Sequence, residues 1–178
     1  MKATFLFLAS LCLSAPALFA EDKETLEVSE FTFSYEEPWV RQQVTSSMRA
    51  GQLTYDHEDE NLEDVDLVLY YFGPGQGGGI QANIDRWLGQ FDGEPESTTE
   101  KRELGDKEVT FLTASGTYME SAGGPFSGNK TPRPDYTMLA AILPSPEGAV
   151  FLKLTGPNDS VAAMKDDFEA FAASPFSE

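Results

Sequence analysis

One stretch in the middle of the chain, residues 65–91, constrains the fold more than any other. It opens with an apolar run from Val65 to Phe72, continues through seven residues that are mostly glycine, and ends in a helical pattern. Apolar side chains on both faces of the first run predict a central strand that is covered on both sides. The later residues Ile80, Ile84, Trp87, Leu88 and Phe91 form one stripe at helical spacing. The sequence therefore predicts a strand, a sharp glycine turn and a helix in direct succession.

The glycines match the dinucleotide-binding fingerprint G-x-G-x-x-G at Gly73, Gly75 and Gly78. In that fingerprint the helix start holds a pyrophosphate, and an acidic residue about twenty positions later holds the ribose. Glu96 and Glu100 lie near that spacing. The fold that uses the fingerprint repeats its strand–helix unit, whereas the pattern here contains one such unit, and the acidic chain repels a dianionic ligand. We therefore predict that the chain has no nucleotide cofactor.

A smaller ligand site at the same turn fits the residues better. Successive glycine N–H groups at a helix start can surround an anion or a carbonyl oxygen, and polar side chains flank the apolar stripe of the helix. The predicted ligand-binding residues are Gly75, Gln76, Gly77, Gly78, Asn83 and Arg86. Two alternatives remain open: the glycines serve only backbone conformations with positive φ, and Arg86 pairs with nearby carboxylates.

Residues 1–20 have the pattern of a secretory signal peptide. Lys2 gives a positive start, the apolar run from Ala3 to Leu13 is too short to span a bilayer, and small residues follow. We predict cleavage after Ala20, with Ala17 as an alternative end. The expected location is periplasmic or secreted, and no later segment is apolar enough for a membrane span. Cys12, the one cysteine, leaves with the signal, so no disulfide is predicted.

The formal net charge of the chain is −18, with 30 acidic and 12 basic residues. Nucleic acid and anionic lipid need clustered lysine and arginine, so we predict neither as a partner. The negative charge itself favours solubility in a salty extracellular medium, or it attracts cations and basic proteins. Residues 21–30 are predicted to be a weakly ordered acidic lead-in. Residues 31–176 are predicted to form a single α+β domain.

The remaining patterns predict strands joined mostly as hairpins. Phe31–Tyr35 alternates strictly, and a second strand is predicted from Val44 to Tyr55. Two hairpins follow the helix, one turning at Gly105-Asp106, with strands over 98–104, 107–118, 136–143 and 149–155. A closing helix is predicted over 160–173. About seven strands and two main helices indicate an α+β fold with a largely antiparallel sheet.

A serine-type hydrolase is the rival interpretation, using Ser127, Lys130 or His57. Ser127 and Lys130 have the S-x-x-K spacing, which works only when both lie on one helix. They fall in a segment, 119–134, whose glycines and prolines predict irregular structure. His57 is the only histidine and lies in a run of acids. Because no pair of buried carboxylates stands out for acid–base chemistry, we predict no catalytic residues.

The acids of residues 56–64 form an oxygen-rich cluster. Calcium prefers six to eight oxygen ligands, but the spacing and the glycine of an EF-hand loop are missing here. A solvated turn is the simpler interpretation, so no metal ligands are assigned. A calcium-stabilised accessory protein remains an alternative.

The chain resembles a family of small, exported bacterial proteins of uncharacterised function. The resemblance rests on Tyr70–Gly78, Asn83–Trp87, Ser115–Met119 and Phe151–Pro157. The layout of antiparallel strands, one mid-chain helix and one closing helix is also similar to the PsbP and Mog1 group, a sandwich fold. That resemblance implies an accessory or binding protein rather than a catalyst, and it implies no site residues.

Together these patterns predict an exported, non-catalytic domain that binds a small molecule or a protein partner. The expected site lies near the glycine turn, Asn83 and Arg86, with the 119–134 segment beside it. The residues leave the identity of the ligand and the oligomeric state open.

Overall fold

The computed structural model describes residues 23–121 and 130–177, which form nine strands and three helices. The strands are β1 Glu24–Val28, β2 Phe31–Tyr35, β3 Trp39–Arg41, β4 Gly51–Tyr55, β5 Val65–Tyr71, β6 Glu96–Leu104, β7 Lys107–Ser121, β8 Lys130–Leu143 and β9 Val150–Pro157. The helices are α1 Ile80–Leu88, α2 Asn158–Ala163 and α3 Lys165–Ala173, followed by a 3₁₀ turn at Ser174–Phe176. Within the described residues, no helix has the length and apolar character needed to cross a bilayer.

Seven strands form one sheet in the order β3-β4-β5-β9-β8-β7-β6, and every neighbouring pair is antiparallel. Strands β1 and β2 form a separate antiparallel pair. The predicted α+β class and the largely antiparallel sheet of seven strands are confirmed. So are the interior position of β5, between β4 and β9, and the two hairpins β6–β7 and β8–β9.

The back face of the sheet packs against the β1–β2 pair and the two C-terminal helices. Alternate residues of β5, such as Leu67 and Leu69, contribute to this core and are fully buried. Phe33 of β2 stacks on Phe171 of α3 with ring centroids 5.0 Å apart. Burial of side chains of this size contributes about 1.5–3 kcal/mol each relative to exposure, so this layer supplies most of the apolar stabilisation.

The front face is covered in part by α1. Ile84, Trp87 and the following Phe91 are buried against residues of β7, β8 and β9, as the predicted stripe requires. Trp87 meets the ring of Phe151 edge to face at 6.3 Å. Beyond α1 the same face continues across β5 and β9, where Val68, Tyr70, Lys153 and Thr155 are only half-buried.

The prediction of a weakly ordered lead-in is wrong over 24–28, which form β1. Leu26 and Val28 alternate with acidic residues and are buried, while the acids stay exposed. The acidic composition hides this period-2 pattern, because only every second residue is apolar. Strand β1 pairs along its whole length with β2.

Two other predicted elements have different bounds. The strand predicted from Val44 begins only at Gly51, after a segment whose last amide, that of Ala50, donates to the carbonyl of Leu69 at 2.8 Å. The predicted closing helix is two helices, because the backbone at the buried Met164 has φ −111° and ψ 10°. The break lets Val161 and Phe168 both reach the back-face core.

The irregular segment predicted over 119–134 is wrong at both ends. Strand β7 runs on to Ser121 and β8 begins at Lys130, with Pro132 paired to Met119. The prolines are tolerated because β9 pairs with β8 only from Tyr136 onward, so this part of β8 has β7 as its strand neighbour. Residues 122–129 lie outside the described residues.

Tyr55 of β4 forms a side-chain hydrogen bond with α3, and substitution by phenylalanine tests the contribution of that bond to stability. Its hydroxyl donates to Asp167 Oδ2 at 2.5 Å, and burial raises the pKa of Tyr55 to about 12. Tyr55→Phe is expected to reduce the free energy of unfolding at pH 7 by about 1 kcal/mol, the usual net value of such a bond.

The elevated pKa of Tyr55 also predicts the pH dependence of this difference. The unfolded tyrosine ionises near pH 10 and the folded one near pH 12, so the contribution is full below pH 10 and disappears as the pH rises toward 12. Urea unfolding of both proteins at pH 7 and at pH 11 measures the difference, and an equal difference at both pH values contradicts the assignment.

Candidate functional site

The glycine turn between β5 and α1 has the backbone that the sequence predicts. Gly73, Gly75, Gly77 and Gly78 all have positive φ. Gly77 is the position that requires glycine, since an added Cβ would lie 2.8 Å from the ring of Phe151. The turn therefore lies close against the front face of β9 and directs α1 back across the sheet.

Asn83, one of the predicted ligand residues, holds this turn together. It is buried, and its amide group donates to the carbonyl of Gly77 at 2.8 Å and to that of Gly79 at 2.9 Å. The guanidinium of Arg86 donates to its side-chain oxygen. Both amide donors are thus used inside the turn, and these contacts account for Asn83 without a ligand.

The other predicted residues surround that turn. The amide of Gln76 donates to the carbonyl of Gly73 at 3.1 Å, and Gly75, Gln76 and Gly78 are exposed while Gly77 is half-buried. Arg86 is exposed in the last turn of α1. The structure places the four turn residues before the first residue of α1 and Arg86 in its last turn, and Asn83 joins the turn and Arg86 by hydrogen bonds.

Alanine at position 83 tests the structural role of this amide. Asn83→Ala removes the side-chain donor of the half-buried Gly77 carbonyl and one of the two donors of the Gly79 carbonyl, which keeps the backbone amide of residue 83. We therefore expect the free energy of unfolding to fall by about 1–2 kcal/mol. Gln81→Ala, at an exposed position of the same helix, is the matched control with an expected change near zero. Equal losses in urea unfolding would show that helix propensity, not the turn, is being measured.

Sequence reasoning missed Lys153, the most unusual side chain of the front face. It lies in the middle of β9, beside Val68 of β5 and Ala140 of β8. Its amine donates to Gln90 Oε1 at 2.5 Å and to the Tyr118 hydroxyl at 3.1 Å, and it lies 5.2 Å from the centre of the Tyr118 ring.

Within the described residues, none of the ion pairs involves Lys153. Its hydrogen-bond acceptors are a neutral amide and a hydroxyl, in a chain with 30 carboxylate side chains. Burial, reinforced by the charge of Arg86, lowers the pKa of Lys153 to about 8. A cation removed from water without a carboxylate partner costs folding free energy, so its presence calls for another explanation.

Three half-buried tyrosines share the front face with Lys153. Tyr70 comes from β5, Tyr118 from β7 and Tyr136 from β8. The rings of Tyr118 and Tyr136 are parallel with centroids 6.4 Å apart, and burial raises the pKa of all three hydroxyls. We call Lys153, Tyr70, Tyr118 and Tyr136 the Lys153 platform.

Away from this platform, a cavity of about 150 Å³ lies where α3 meets the edge of the sheet on the back face. Its floor includes Phe111 and Leu139, and Arg102 stands at its rim. The Arg102 guanidinium donates to Glu169 at 2.6 Å and to Glu100 at 2.8 Å. Because these charges satisfy one another, this cavity presents less unmatched polarity than the Lys153 platform.

The residues of the rival hydrolase hypothesis fall in different settings. Ser127 lies outside the described residues, and Lys130 is the exposed first residue of a strand rather than part of a helix. The strand removes the helical spacing that an S-x-x-K pair needs. The His57 ring packs against Tyr55 with centroids 4.8 Å apart.

The acidic turn at 56–64 uses its carboxylates locally. Asp64 accepts from the amide of His57 at 3.1 Å, and Asp59 accepts from both the backbone and the side chain of Asn61. Within the part of the chain that the structure describes, no three side chains of His, Cys, Asp or Glu come together as a metal site.

No protein-family model matches the chain, and no curated protein matches it. Among solved structures, it is similar to cyanobacterial PsbP (CyanoP) from Synechocystis sp. PCC 6803, with a TM-score of 0.54 and 13% identity over 92% of this chain and 96% of that one. It is also similar to LpqN of Mycobacterium tuberculosis, described as involved in cell envelope biogenesis (TM-score 0.48, 16% identity, 78% of each chain). A third is PA94 of Pseudomonas aeruginosa, a protein of unknown function and putative regulator (TM-score 0.45, 8% identity, 88% of this chain and 97% of that one). The likeness to PsbP confirms the predicted type of fold: this chain has a PsbP-like α+β fold.

Proposed function

We propose that the protein is an exported, non-catalytic accessory domain that binds a small molecule or a protein partner on the Lys153 platform. Export rests on the signal pattern of residues 1–20. The accessory role is consistent with the PsbP-like fold, which by itself sets no activity. The binding site rests on the front face of the sheet.

One observation carries the proposal: Lys153 has no carboxylate partner among the described residues, in a half-buried group of tyrosines beyond the cover of α1. Tyrosine has an apolar ring and a polar hydroxyl group. It therefore suits a surface that is buried against a partner in the complex and is exposed to water in the unbound protein. Aromatic side chains beside one charged group offer a ligand both an apolar contact area and a polar group that fixes its orientation.

The glycine turn and Arg86 form the border of this proposed site. Arg86 belongs to α1, which packs on the same front face as Lys153, and its positive charge helps to lower the pKa of Lys153. Gly75, Gln76, Gly77 and Gly78, proposed from the sequence as ligand residues, then belong to the rim with their exposed backbone. Asn83 supports the rim from inside.

A thermal-shift screen of the chain without its signal, residues 21–178, tests the binding role. Small organic acids, sugars, amino acids and divalent cations form the panel. At least one class should raise the melting temperature, and Tyr118→Leu should abolish that rise. Tyr71→Leu is the matched control, because Tyr71 is also a half-buried tyrosine but packs against the back-face core. No stabilisation by any class, or a rise that Tyr118→Leu leaves unchanged, contradicts the site.

The other two parts of the proposal have separate tests. Mass spectrometry of protein recovered from the periplasm or medium of an expressing bacterium should show a chain that starts at Glu21, and an intact Met1 would contradict export. A fluorophosphonate probe should leave the protein unlabelled, whereas a label on Ser127 would contradict the non-catalytic assignment.

A further inference from the structure

We propose that the Lys153 platform recognises one carboxylate group carried by a flat apolar or aromatic body. This inference deepens the proposed function and rests on it, because it names the chemistry of the ligand that the platform takes. It assigns the carboxylate to Lys153 and the apolar body to the tyrosines.

Both hydrogen-bond acceptors of Lys153 are neutral side-chain groups. Gln90 Oε1 accepts from the Lys153 amine at 2.5 Å and from the Tyr118 hydroxyl at 3.2 Å. The ammonium group has three donors, and the described residues take two of them. Gln90 is a half-buried residue just beyond the end of α1. A ligand carboxylate that displaced its side-chain oxygen would accept from the Lys153 amine in its place.

A carboxylate is the acceptor that the charges favour. Lys153 donates to a neutral amide and a hydroxyl, and charge-assisted bonds from an ammonium group to a carboxylate are about twice as strong as neutral ones. The one acid that β5 places on this face, Asp66, is exposed and accepts from Gln52 at 3.1 Å and from Thr54 at 2.6 Å. A single negative charge also meets less repulsion from a chain of net charge −18 than a phosphate does.

The aromatic surroundings favour a flat ligand body. Tyr118 lies between Phe91, edge-on at 5.6 Å, and Tyr136, parallel at 6.4 Å. On the β5 side, Tyr70 stacks on Phe72 with centroids 6.3 Å apart, and Phe72 is 43% exposed. A large aromatic side chain that stays this exposed beside half-buried rings offers area for a further ring, since aromatic pairs gain beyond simple burial.

Benzoate and benzamide test the proposal, because they share a shape and differ in charge. In an NMR titration of the mature chain, benzoate should shift the signals of Lys153, Tyr118 and Gln90 saturably. Benzamide should bind at least roughly tenfold more weakly, as expected when a charge-assisted hydrogen bond is lost. Lys153→Met should weaken benzoate by a similar factor and leave benzamide unchanged. Lys101→Met, which removes an exposed lysine paired with Glu108 at 2.7 Å, should change neither.

N-acetylphenylalanine and its amide distinguish the two sources of such a carboxylate. Tighter binding of this acid than of benzoate assigns the group to the end of a peptide chain, and weaker binding assigns it to a free aromatic acid. Equal binding of benzoate and benzamide at the platform overturns the carboxylate assignment and retains the proposed function. If neither benzoate nor benzamide binds, or if Lys153→Met leaves benzoate binding unchanged, this inference is wrong. The thermal-shift screen tests the general binding role independently of it.

Discussion

Replacement of Gly148 by alanine is expected to lower the free energy of unfolding by about 3 kcal/mol. Gly148 is a buried residue of the turn between β8 and β9 with φ +113°, and an added Cβ would lie 2.5 Å from the carbonyl oxygen of Gly73. The atoms in the way are backbone of the glycine turn, so no side-chain rotation relieves the overlap. Tyr71 binds the same turn, with its hydroxyl donating to the carbonyl of Glu147 at 2.7 Å.

Gly93 provides the matched control for this substitution. It also has positive φ, at +73°, but an added Cβ would meet no atom within 4 Å. Gly93→Ala should therefore cost only the backbone strain, about 1 kcal/mol. Urea unfolding at pH 7 measures both variants. Equal losses would show that the glycine turn and the β8–β9 turn do not brace each other.

Replacement of Lys153 by methionine is expected to raise the free energy of unfolding at pH 7 by up to about 3 kcal/mol. The folded protein lowers the pKa of this lysine from 10.5 to about 8, and each pH unit corresponds to about 1.4 kcal/mol against the charged form. Methionine has a similar length and no charge to desolvate. Lys101→Met, at an exposed position, should change the same quantity by less than about 0.5 kcal/mol.

The advantage of the Lys153→Met variant should depend on pH in a defined way. Since the folded pKa lies below the unfolded one, the folded wild type loses its proton first and gains stability between about pH 8 and 10.5. The difference between the variant and the wild type is therefore full below about pH 8 and disappears toward 10.5. Tyr70 and Tyr118 lie on the same face as Lys153 and keep their protons through most of this window, because burial raises the pKa of both.

Urea unfolding from pH 6 to pH 10.5 measures this difference. A variant less stable than the wild type at pH 7, or a difference independent of pH, contradicts the idea that Lys153 is held at the expense of stability. A gain in stability joined to a loss of benzoate binding is the pattern of a residue kept for function.

The order of elements could be predicted from local patterns. Gly73 to Gly79 separate a short continuous apolar run from a pattern with a 3.6-residue period, so the strand, turn and helix follow from the residues themselves. The hairpin at Gly105-Asp106 also follows from two adjacent turn residues. Strand β1 could not be predicted as readily, because acidic residues surround Leu26 and Val28 and an acidic segment is typical of a solvated chain end.

The candidate site could be predicted only in part, because it depends on the sheet order. Gln90 and Tyr118 meet Lys153 only because β9 inserts between β5 and β8, and β5 and β9 are segments about eighty residues apart in the chain. One local signal was available: Lys153 interrupts an apolar strand at a position that alternates with Phe151 and Thr155, on one face. A lysine in the middle of an apolar strand is unusual, because lysine is rarely buried unless it is paired with an acceptor group.

The pKa of the Lys153 amine, measured by NMR on protein with isotope-labelled lysine, tests the central claim most directly. That claim is that the fold holds an uncompensated cation on its front face for an anionic ligand. The account predicts a pKa near 8 in the free protein and a higher pKa when benzoate is present, because a bound carboxylate stabilises the ammonium form. A pKa at the ordinary value of 10.5 that benzoate leaves unchanged would contradict it.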